Sequence, residues 1–416
     1  MRNVSRRSFL GAGASTFTII NPELVRGAGR EKLKAGIVGC GGRGTGAIEN
    51  ILTGNPNVEL VAMADLFEDK LELCLKRINN DKRFATLKDN VKVAPDKRFT
   101  GFDAYRKVIA SDVDIVMLTT PPGYRPEHFE AAINAGKHCF VEKPIATDPV
   151  GVRRFLASVK KAQEKKLTVV SGAQRRAASD YIQTREKVMS GAIGDILACY
   201  SNYLSGPVMH ASARDPRWGD MEWEHRNWYS FLWICGDQIV EQHFHNIDCI
   251  NWFMGGHPAK VVASGGVAWR PAEDLYGNIY DHLASEFVYP NGVHLVSHCR
   301  QYPQGLFRVV NDLIVGSKGK TTCNDMGEKP PVNTQVQEHI NMVKSILGDG
   351  PYLNHGIDVA ESTLTCIMAR ESAYSGLEIT WDMIMNSKQD LQPKQFDYKL
   401  KMDAPPVPVP GKYKFV

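Results

Sequence analysis

A glycine-rich turn between a strand-like and a helix-like segment is the feature that most constrains this chain. The apolar run Leu33 to Val38 precedes the pattern G-x-G-x-x-G, formed by Gly39, Gly41 and Gly44, with a further glycine, Gly42, at a variable position. Glycines at these positions permit a tight turn and let backbone N–H groups approach a pyrophosphate at a helix N-terminus. The turn therefore predicts a βαβ unit that binds a dinucleotide.

A carboxylate after the next strand-like segment gives this unit a cofactor preference. Residues 58–64 are largely apolar and lead to Asp65, which stands 21 residues beyond Gly44. Such a carboxylate accepts hydrogen bonds from the adenosine ribose and repels a 2′-phosphate, which favours NAD over NADP. Arg43 keeps NADP as the alternative, because a guanidinium near that ribose also accepts a phosphate.

Alternating strand and helix patterns follow the turn. Strands are predicted at 114–119 and 137–141, with a helix over 126–135 between them. This alternation predicts a parallel sheet covered on both faces, that is, a doubly wound Rossmann domain. Thr119 to Pro122 and Glu142 to Pro144 each end a strand, where open α/β sheets bind their ligands.

The second half has a different pattern. Apolar alternation at 260–270, 282–289 and 293–300, with a turn signal at 290–292, predicts an open, mainly antiparallel sheet. We therefore predict an α/β protein with an N-terminal Rossmann domain and a C-terminal α+β domain. The predicted boundaries are a leader over 1–30, the NAD-binding domain over 31–155, a substrate and oligomerisation domain over 156–400, and a proline-rich tail over 401–416.

One segment carries a resemblance to a known family. The sequence AGKHCFVEKPIATD (135–148) follows the Rossmann unit, and with it the chain beyond the leader resembles the Gfo/Idh/MocA oxidoreductases, the glucose–fructose oxidoreductase and inositol dehydrogenase family. The resemblance implies that Lys143 contacts substrate and nicotinamide, that Glu142 lies by the nicotinamide ribose, and that the protein is a homodimer or homotetramer. The predicted cofactor-binding residues are Gly39, Gly41, Gly42, Arg43, Gly44, Asp65, Thr120, Pro121, Pro122, His128, Glu142 and Lys143.

The segment GDQIVEQHFHNIDCINWF (236–253) is the predicted catalytic helix. On one continuous helix Glu241, His245 and Asp248 share a face, and the family has Asp-x-x-x-His-x-x-Asp at the matching place. The resemblance implies that His245 is the general acid/base, a role for which a neutral imidazole is suited. Glu241 replaces the family's Asp, His243 stands where Gly is frequent, and Asp248 is expected to be a cap or an ion-pair partner.

Other residues are predicted to contact substrate or to pack. Four tryptophans fall within sixteen residues, at 218, 223, 228 and 233; flat rings suit pyranose C–H bonds, but packing is expected for most of them. Arg175 and Arg176 are either substrate ligands or surface residues. The predicted catalytic residues are Lys143, His245 and Glu241, and the predicted substrate-binding residues are Lys143, Arg175, Arg176, Trp228, Glu241, His243 and His245. No metal is expected, because His243 points away from His245 on a helix; an extended segment would instead allow a metal site.

Charge, cysteines and the N-terminus exclude several classes of protein. Residues 31–416 carry 45 basic and 45 acidic side chains, which disfavours nucleic-acid binding, and no apolar run is long enough to span a membrane. The nine cysteines include no C-x-x-C pair, so they predict neither a disulfide scaffold nor zinc. The segment SRRSFL (5–10) resembles a twin-arginine signal, which predicts export of the folded protein to the periplasm.

The combined prediction is an exported oxidoreductase that binds NAD tightly and transfers hydride from a secondary hydroxyl of a sugar, glycoside or cyclitol. Three alternatives use the same residues. One is a redox-neutral glycosidase that oxidises, eliminates, hydrates and re-reduces with its own NAD. The others are a sugar–sugar oxidoreductase and a non-catalytic module that binds sugar or NAD.

Overall fold

The computed structural model describes residues 32–208, 214–403 and 405–416. The predicted leader over 1–30, with its paired arginines, lies outside these residues. Within them, the strands form two sheets, one of six strands and one of seven. This confirms the predicted fold class, a Rossmann domain followed by a domain with a mainly antiparallel sheet.

The first sheet is parallel throughout and has the order β3-β2-β1-β4-β5-β6 within the described residues. All four residues of its central strand β4 are buried, as expected for a sheet with helices on both faces. Its strands are β1 (Leu33–Val38), β2 (Val58–Asp65), β3 (Arg98–Thr100), β4 (Ile115–Leu118), β5 (His138–Val141) and β6 (Val169–Ser171). Its helices are α1 (Gly42–Gly54), α2 (Glu68–Asn80), α3 (Ala104–Ala110), α4 (Arg125–Asn134) and α5 (Pro149–Glu164).

The order of these strands positions the site. Along the chain the sheet grows from β1 to β3 on one side and then from β4 to β6 on the other. The carboxyl ends of β1 and β4 therefore border a crevice, which is where open α/β sheets bind ligands. The last strand, β6, lies beyond residue 155, at which the Rossmann domain was predicted to end.

The second sheet has the order β12-β11-β7-β10-β9-β8-β13 in the described chain, and only its β7–β10 pair is parallel. Its strands are β7 (Ile196–Ser205), β8 (Lys260–Gly266), β9 (His282–Val288), β10 (His294–Gln301), β11 (Val309–Gly316), β12 (Lys320–Thr321) and β13 (Ile379–Thr380). The helices of this half are α6 (Ser179–Met189), α7 (Asp220–Arg226), α8 (Leu232–Cys235), α9 (Gln238–Glu241), α10 (Phe244–Met254), α11 (Thr334–Leu347), α12 (Gly356–Ser375) and α13 (Trp381–Asn386).

Helices α11 and α12 join the two halves. Helix α11 packs against α1 of the Rossmann domain, and α12 packs against α5 on one side and against β8 and α10 on the other. The side chain of Arg370 in α12 is fully buried and donates to the backbone carbonyl oxygens of Thr147 (2.6 Å) and Gly236 (3.0 Å). These contacts fix α9 and α10 relative to the first sheet.

The continuous helix predicted over 236–253 is wrong. Helix α9 ends at Glu241 and α10 begins at Phe244, and Gly236 and Asp237 before them have positive φ angles of 85° and 83°. The buried Asp237 carboxylate accepts hydrogen bonds from the backbone N–H of Tyr280 (3.0 Å) and from the hydroxyl of Tyr374. A non-glycine residue in this conformation is costly, so these tertiary contacts stabilise it.

Two sequence-based expectations concern the whole chain. Among the helices that the structure describes, none has both the length and the apolar character that a membrane span requires. All nine cysteines are buried and unpaired, which agrees with their interpretation as small core residues and not as a disulfide scaffold.

Candidate active site

A cavity of about 880 Å³ extends from the glycine turn and the end of β2 to α9 and α10. It lies at the crevice that the strand order of the first sheet creates. It is lined by most of the residues predicted from the sequence: Gly39, Gly41, Gly42, Arg43, Gly44, Asp65, Thr120, Pro121, His128, Glu142, Lys143, Trp228, Glu241 and His245.

The glycine turn has the geometry that a pyrophosphate needs. Gly39 has a φ of 101°, and a Cβ there would lie 2.8 Å from the backbone of Thr119 and Thr120. A Cβ on Gly44 would lie 1.9 Å from the carbonyl oxygen of Gly39. By contrast, a Cβ on Gly41 or Gly42 would meet no atom within 4 Å, so open space adjoins the N-terminus of α1. The residues present therefore fit a dinucleotide, with its pyrophosphate beside this helix end.

Asp65 ends β2 next to the turn. Its Oδ2 accepts a hydrogen bond from the backbone N–H of Cys40 (2.6 Å), and its Oδ1 accepts one from the N–H of Phe67 (3.0 Å). Burial raises the pKa of Asp65, and these two backbone donors oppose that rise. Each carboxylate oxygen has a second lone pair, so Asp65 retains the capacity to accept ribose hydroxyls.

Arg43 is held by two carboxylates. Its Nε donates to Oε1 of Glu142, and one of its terminal nitrogens lies 3.5 Å from Oε1 of Glu338 in α11. Burial opposes the charge of Arg43, but Glu142 and Glu338 together raise its pKa. Burial, and then the charge of Glu142, raise the pKa of Glu338, while the charge of Arg43 opposes that rise. The alternative that Arg43 receives a 2′-phosphate is weakened, because its guanidinium is already paired.

Lys143 and Glu241 form a buried ion pair at the other end of the cavity. The Nζ of Lys143 donates to the backbone carbonyl of Glu241 and lies 3.3 Å from its Oε1. Burial raises the pKa of Glu241, while Lys143 and Arg125 oppose that rise. The second oxygen, Oε2 of Glu241, has no hydrogen-bond partner among the described residues. This pair places an ammonium group and an acceptor oxygen beside the same space.

His245 lies in the first turn of α10 and is half-buried against the cavity. Burial first, and then the charges of Lys143 and Arg175, lower its pKa well below 6.5. Its imidazole is therefore neutral near pH 7 and competent to accept a proton. Its backbone carbonyl accepts a hydrogen bond from Arg175 (3.1 Å), which itself is paired with Asp312 (2.7 Å).

Two family profiles match most of the chain. The first, described as an oxidoreductase family with an NAD-binding Rossmann fold, matches residues 33–171, and the second, the GFO/IDH/MocA C-terminal domain, matches residues 181–322. Together they span about two thirds of the sequence. This protein belongs to the Gfo/Idh/MocA family. The resemblance seen in the sequence is thereby confirmed.

The curated relatives match part of their length. An inositol 2-dehydrogenase from Salmonella typhimurium strain LT2 is 27% identical over 223 residues, which cover 53% of this chain and 54% of that protein. An uncharacterized oxidoreductase from Streptococcus pneumoniae is 28% identical over 159 residues, or 38% of this chain and 39% of that protein. The match therefore spans about half, or less, of these relatives.

Solved structures share the whole architecture at low identity. The aldose–aldose oxidoreductase from Caulobacter crescentus has a TM-score of 0.65 at 16% identity, covering 84% of this chain and 99% of that one. The scyllo-inositol dehydrogenase from Lactobacillus casei, solved with NAD(H) and scyllo-inositol, has a TM-score of 0.63 at 21% identity and the same coverage. At this identity the likeness concerns the fold.

Four predicted ligand residues of this Gfo/Idh/MocA protein do not line the cavity: Pro122, Arg175, Arg176 and His243. Arg175 is paired with Asp312, and Arg176 makes two hydrogen bonds to Asp248, of 2.8 and 2.9 Å. The prediction that these two arginines bind substrate is therefore not supported, because buried carboxylates already hold their guanidinium groups.

The predicted ligand roles of His243 and Pro122 are also contradicted, because both residues are packed away from the cavity. The side chain of His243 is fully buried and its Nε2 lies 2.6 Å from the hydroxyl of Ser297 in β10, so it faces the second sheet. Pro122 is buried at the start of the short 3₁₀ turn 122–124. Neither residue reaches the space in which a substrate or cofactor would lie.

Some of the aromatic residues line the cavity, and others are buried in the hydrophobic core. Trp218 and Trp228 line the cavity, whereas Trp223 and Trp233 are buried in a small aromatic cluster. The ring of His128 stacks on Tyr105 at 4.0 Å, and burial lowers the pKa of His128 to about 3. His128 is therefore a neutral wall residue near pH 7.

Sequence reasoning missed several residues of the site, namely Tyr124, Arg125, Gln174, His225, Tyr229, Gln242 and Gln335. Arg125 follows β4 by seven residues and begins α4, so its place after a strand end was the signal that could have found it. The hydroxyl of Tyr124 is hydrogen-bonded to Nε2 of His225, a contact between residues 101 positions apart that no local pattern indicates. No group of three or more His, Cys, Asp or Glu side chains in the described chain is arranged to hold a metal ion.

Proposed function

We propose that this protein is an NAD-dependent oxidoreductase that acts on a secondary hydroxyl of a sugar, glycoside or cyclitol. The observation that carries the proposal is the position of the Lys143–Glu241 pair and His245 in the same cavity as the glycine turn and Asp65. A dinucleotide that extends from Asp65 along the cavity would present its nicotinamide to this pair. Membership of the Gfo/Idh/MocA family supports the same activity.

The residues of the chain have separate tasks in this reaction. When bound, NAD supplies the hydride acceptor, and the protein supplies orientation and electrostatics. His245, neutral because burial lowers its pKa, accepts the proton of the substrate hydroxyl at a ring nitrogen. The ammonium of Lys143 orients that oxygen and stabilises the negative charge that develops on it. Glu241 holds Lys143 in place through its backbone carbonyl and its carboxylate.

The position of Asp65 favours NAD over NADP as the cofactor. A 2′-phosphate beside this partly buried carboxylate would meet a like charge, whereas ribose hydroxyls would donate to it. The guanidinium of Arg43, the neighbouring group suited to compensate a phosphate, is paired with Glu142.

Tight retention of NAD is supported by segments of the second half that cover the adenosine end. Arg226 of α7 lies 3.2 Å from the Asp69 carboxylate and 3.9 Å from the centre of the Phe67 ring. The hydroxyl of Tyr398 donates to the carbonyl of Leu66 (2.6 Å). These contacts bridge the residues that directly follow Asp65, so dissociation of NAD would require them to open.

A retained cofactor favours a second candidate, the redox-neutral glycosidase. Oxidation of a glycoside at C3 acidifies the C2–H bond, which permits elimination of the aglycone, addition of water and re-reduction by the same cofactor. The cycle needs a base beyond His245. His243 is excluded by its burial against Ser297, which leaves the unpartnered Oε2 of Glu241 as the candidate base.

The test is to purify the protein without added cofactor and to supply aryl and alkyl glycosides, free sugars and cyclitols. The absorbance of reduced nicotinamide and the release of aglycone are followed together. Reduction without release supports the oxidoreductase, and release without net reduction supports the glycosidase. Binding of these compounds with neither change, in protein shown to contain NAD, would contradict both and favour a non-catalytic module.

Export and assembly are separate proposals. We propose that the twin-arginine segment directs the folded protein to the periplasm, and fractionation of cells that express the Arg6→Lys, Arg7→Lys double variant tests this.

We also propose that the protein assembles into a homodimer or homotetramer. It is supported by exposed apolar side chains on the outer face of the second sheet, among them Tyr200 (42% exposed) and Val262 (54%), and sedimentation tests it.

A further inference from the structure

Arg125 is a buried cation in the cavity wall that pairs with no carboxylate among the described residues. It is 4% exposed and begins α4, and one terminal nitrogen of its guanidinium donates to the backbone carbonyl of Pro144. Its Nε has no hydrogen-bond partner in the described structure. Since a guanidinium carries five N–H donors, most of its capacity is unused by the residues that the structure describes.

The other charges at this end of the cavity are already matched. Lys143 lies 3.3 Å from the Glu241 carboxylate, and Arg43 is paired with Glu142. Glu338, the other carboxyl group near Arg43, lies 3.5 Å from the Arg43 guanidinium. Each of these three carboxylates is thus paired with another cation, and none pairs with Arg125.

Keeping such a cation buried is unfavourable unless an anion joins it. Removal of a guanidinium from water costs free energy that only charge pairing and hydrogen bonds recover. Burial lowers the pKa of Arg125, while Glu241 and Glu142 oppose that change from a distance. A planar anion in the cavity would complete the site, since a guanidinium binds a carboxylate through two parallel hydrogen bonds.

We propose that Arg125 binds a carboxylate carried by the substrate, so that the enzyme acts on anionic sugars such as uronic acids, uronides or aldonic acids. The inference rests on the proposed function and narrows its substrate class. It requires the substrate carboxylate to lie near Arg125 while the reacting hydroxyl lies between Lys143 and His245.

The pyrophosphate of the cofactor is the other anion that a cavity arginine could bind. The open space for a pyrophosphate lies at Gly41 and Gly42, beside the N-terminus of α1. Arg125 itself donates to the backbone carbonyl of Pro144, the residue directly after Lys143 at the catalytic end. The substrate is therefore the favoured partner, and a role toward the cofactor is an outcome that the experiment identifies.

The experiment measures binding of matched ligands to the NAD-loaded protein by titration calorimetry. Methyl glucuronide, galacturonide and mannuronide are each compared with the neutral methyl glycoside of the same configuration. We expect at least one uronide to bind about 10- to 100-fold more tightly than its neutral counterpart. If every pair binds equally, the proposal is wrong.

Variants then assign the preference to a residue. Arg125→Gln should abolish the preference for the uronide with NAD affinity unchanged, and Arg125→Lys should keep part of it. Arg154→Gln is the control, because it removes an exposed arginine that is paired with Glu130 and lies outside the cavity. Loss of NAD affinity in Arg125→Gln with the uronide preference intact would instead assign Arg125 to the cofactor.

Two further controls keep the result decisive. If Arg125→Gln does not fold, the comparison of ligand pairs on the unaltered protein and on Arg125→Lys still tests the proposal. Binding does not depend on turnover. A uronide preference without any reduction of NAD or release of aglycone would therefore support the anion site while it contradicts the proposed function.

Discussion

The Nζ of Lys143 lies 3.3 Å from Oε1 of Glu241, although the two residues are 98 positions apart in the sequence. Lys143 follows β5 of the first sheet, and Glu241 ends α9 in the second half. Both side chains are nearly buried, so the pair exists only when the two halves of the chain are packed together. The reactive end of the cavity is therefore a product of tertiary structure, and its residues can be tested one by one.

Lys143→Met should lower kcat/KM about 100-fold or more, because removal of one group that stabilises a developing oxyanion typically costs this much. NAD content, measured after gel filtration, should be unchanged. Lys160→Met, on the exposed face of α5, is the control for loss of a lysine. Full activity in Lys143→Met would show that Lys143 has no catalytic role.

Asp65→Asn should reduce the preference for NAD over NADP about tenfold, since the amide removes the charge that repels a 2′-phosphate and retains one oxygen acceptor. The dissociation constants of both cofactors, measured by fluorescence titration, give this ratio. Asp103→Asn is the matched control, because its side chain is 82% exposed. An unchanged ratio would mean that Asp65 does not face the ribose.

Local patterns were sufficient to predict the first sheet and its ligand edge. The predicted strand Leu33–Val38 coincides with β1, and predicted strand ends placed Asp65 and Lys143 at the cavity. Apolar periodicity and turn glycines act over a few residues, so one segment of sequence contains the information.

The errors concern residues whose partners are distant in sequence. The break between α9 and α10 depends on contacts of Asp237 with Tyr280 and Tyr374, which no helical pattern contains. Arg176 was a candidate substrate ligand until its partner Asp248, 72 positions away, was known. The place of Arg125 after a strand end could have marked it as a site residue, but its lack of a carboxylate partner among the described residues is visible only in the folded structure.

Arg226→Ala should accelerate NAD dissociation about tenfold, because it removes the ion pair to Asp69 and the cation–π contact with Phe67. The release rate can be measured by trapping free NAD with an excess of a second dehydrogenase. Arg217→Ala serves as the control, since this nearby arginine is 86% exposed and pairs with Asp215. Equal release rates in both variants would contradict the idea that this contact retains the cofactor.

His339→Phe tests the effect of a buried neutral histidine on acid stability. Burial lowers the pKa of His339 to about 3, and neither ring nitrogen has a hydrogen-bond partner in the described structure. Below about pH 6.5 the unfolded chain protonates this residue and the folded chain does not, so stability falls as the pH falls toward 3. The difference in unfolding free energy between variant and parent should therefore shift in favour of the variant by about 2 kcal/mol from about pH 7.5 to about pH 5.

Urea unfolding of both proteins at the two pH values measures this shift. Phenylalanine retains an aromatic ring against Phe140, whose centre lies 4.3 Å from that of His339, so any packing change enters both pH values equally and cancels. His294→Phe is the matched control, since His294 is exposed on β10. A shift near zero for His339→Phe would mean that His339 has the same pKa in the folded and the unfolded chain, which would contradict the prediction.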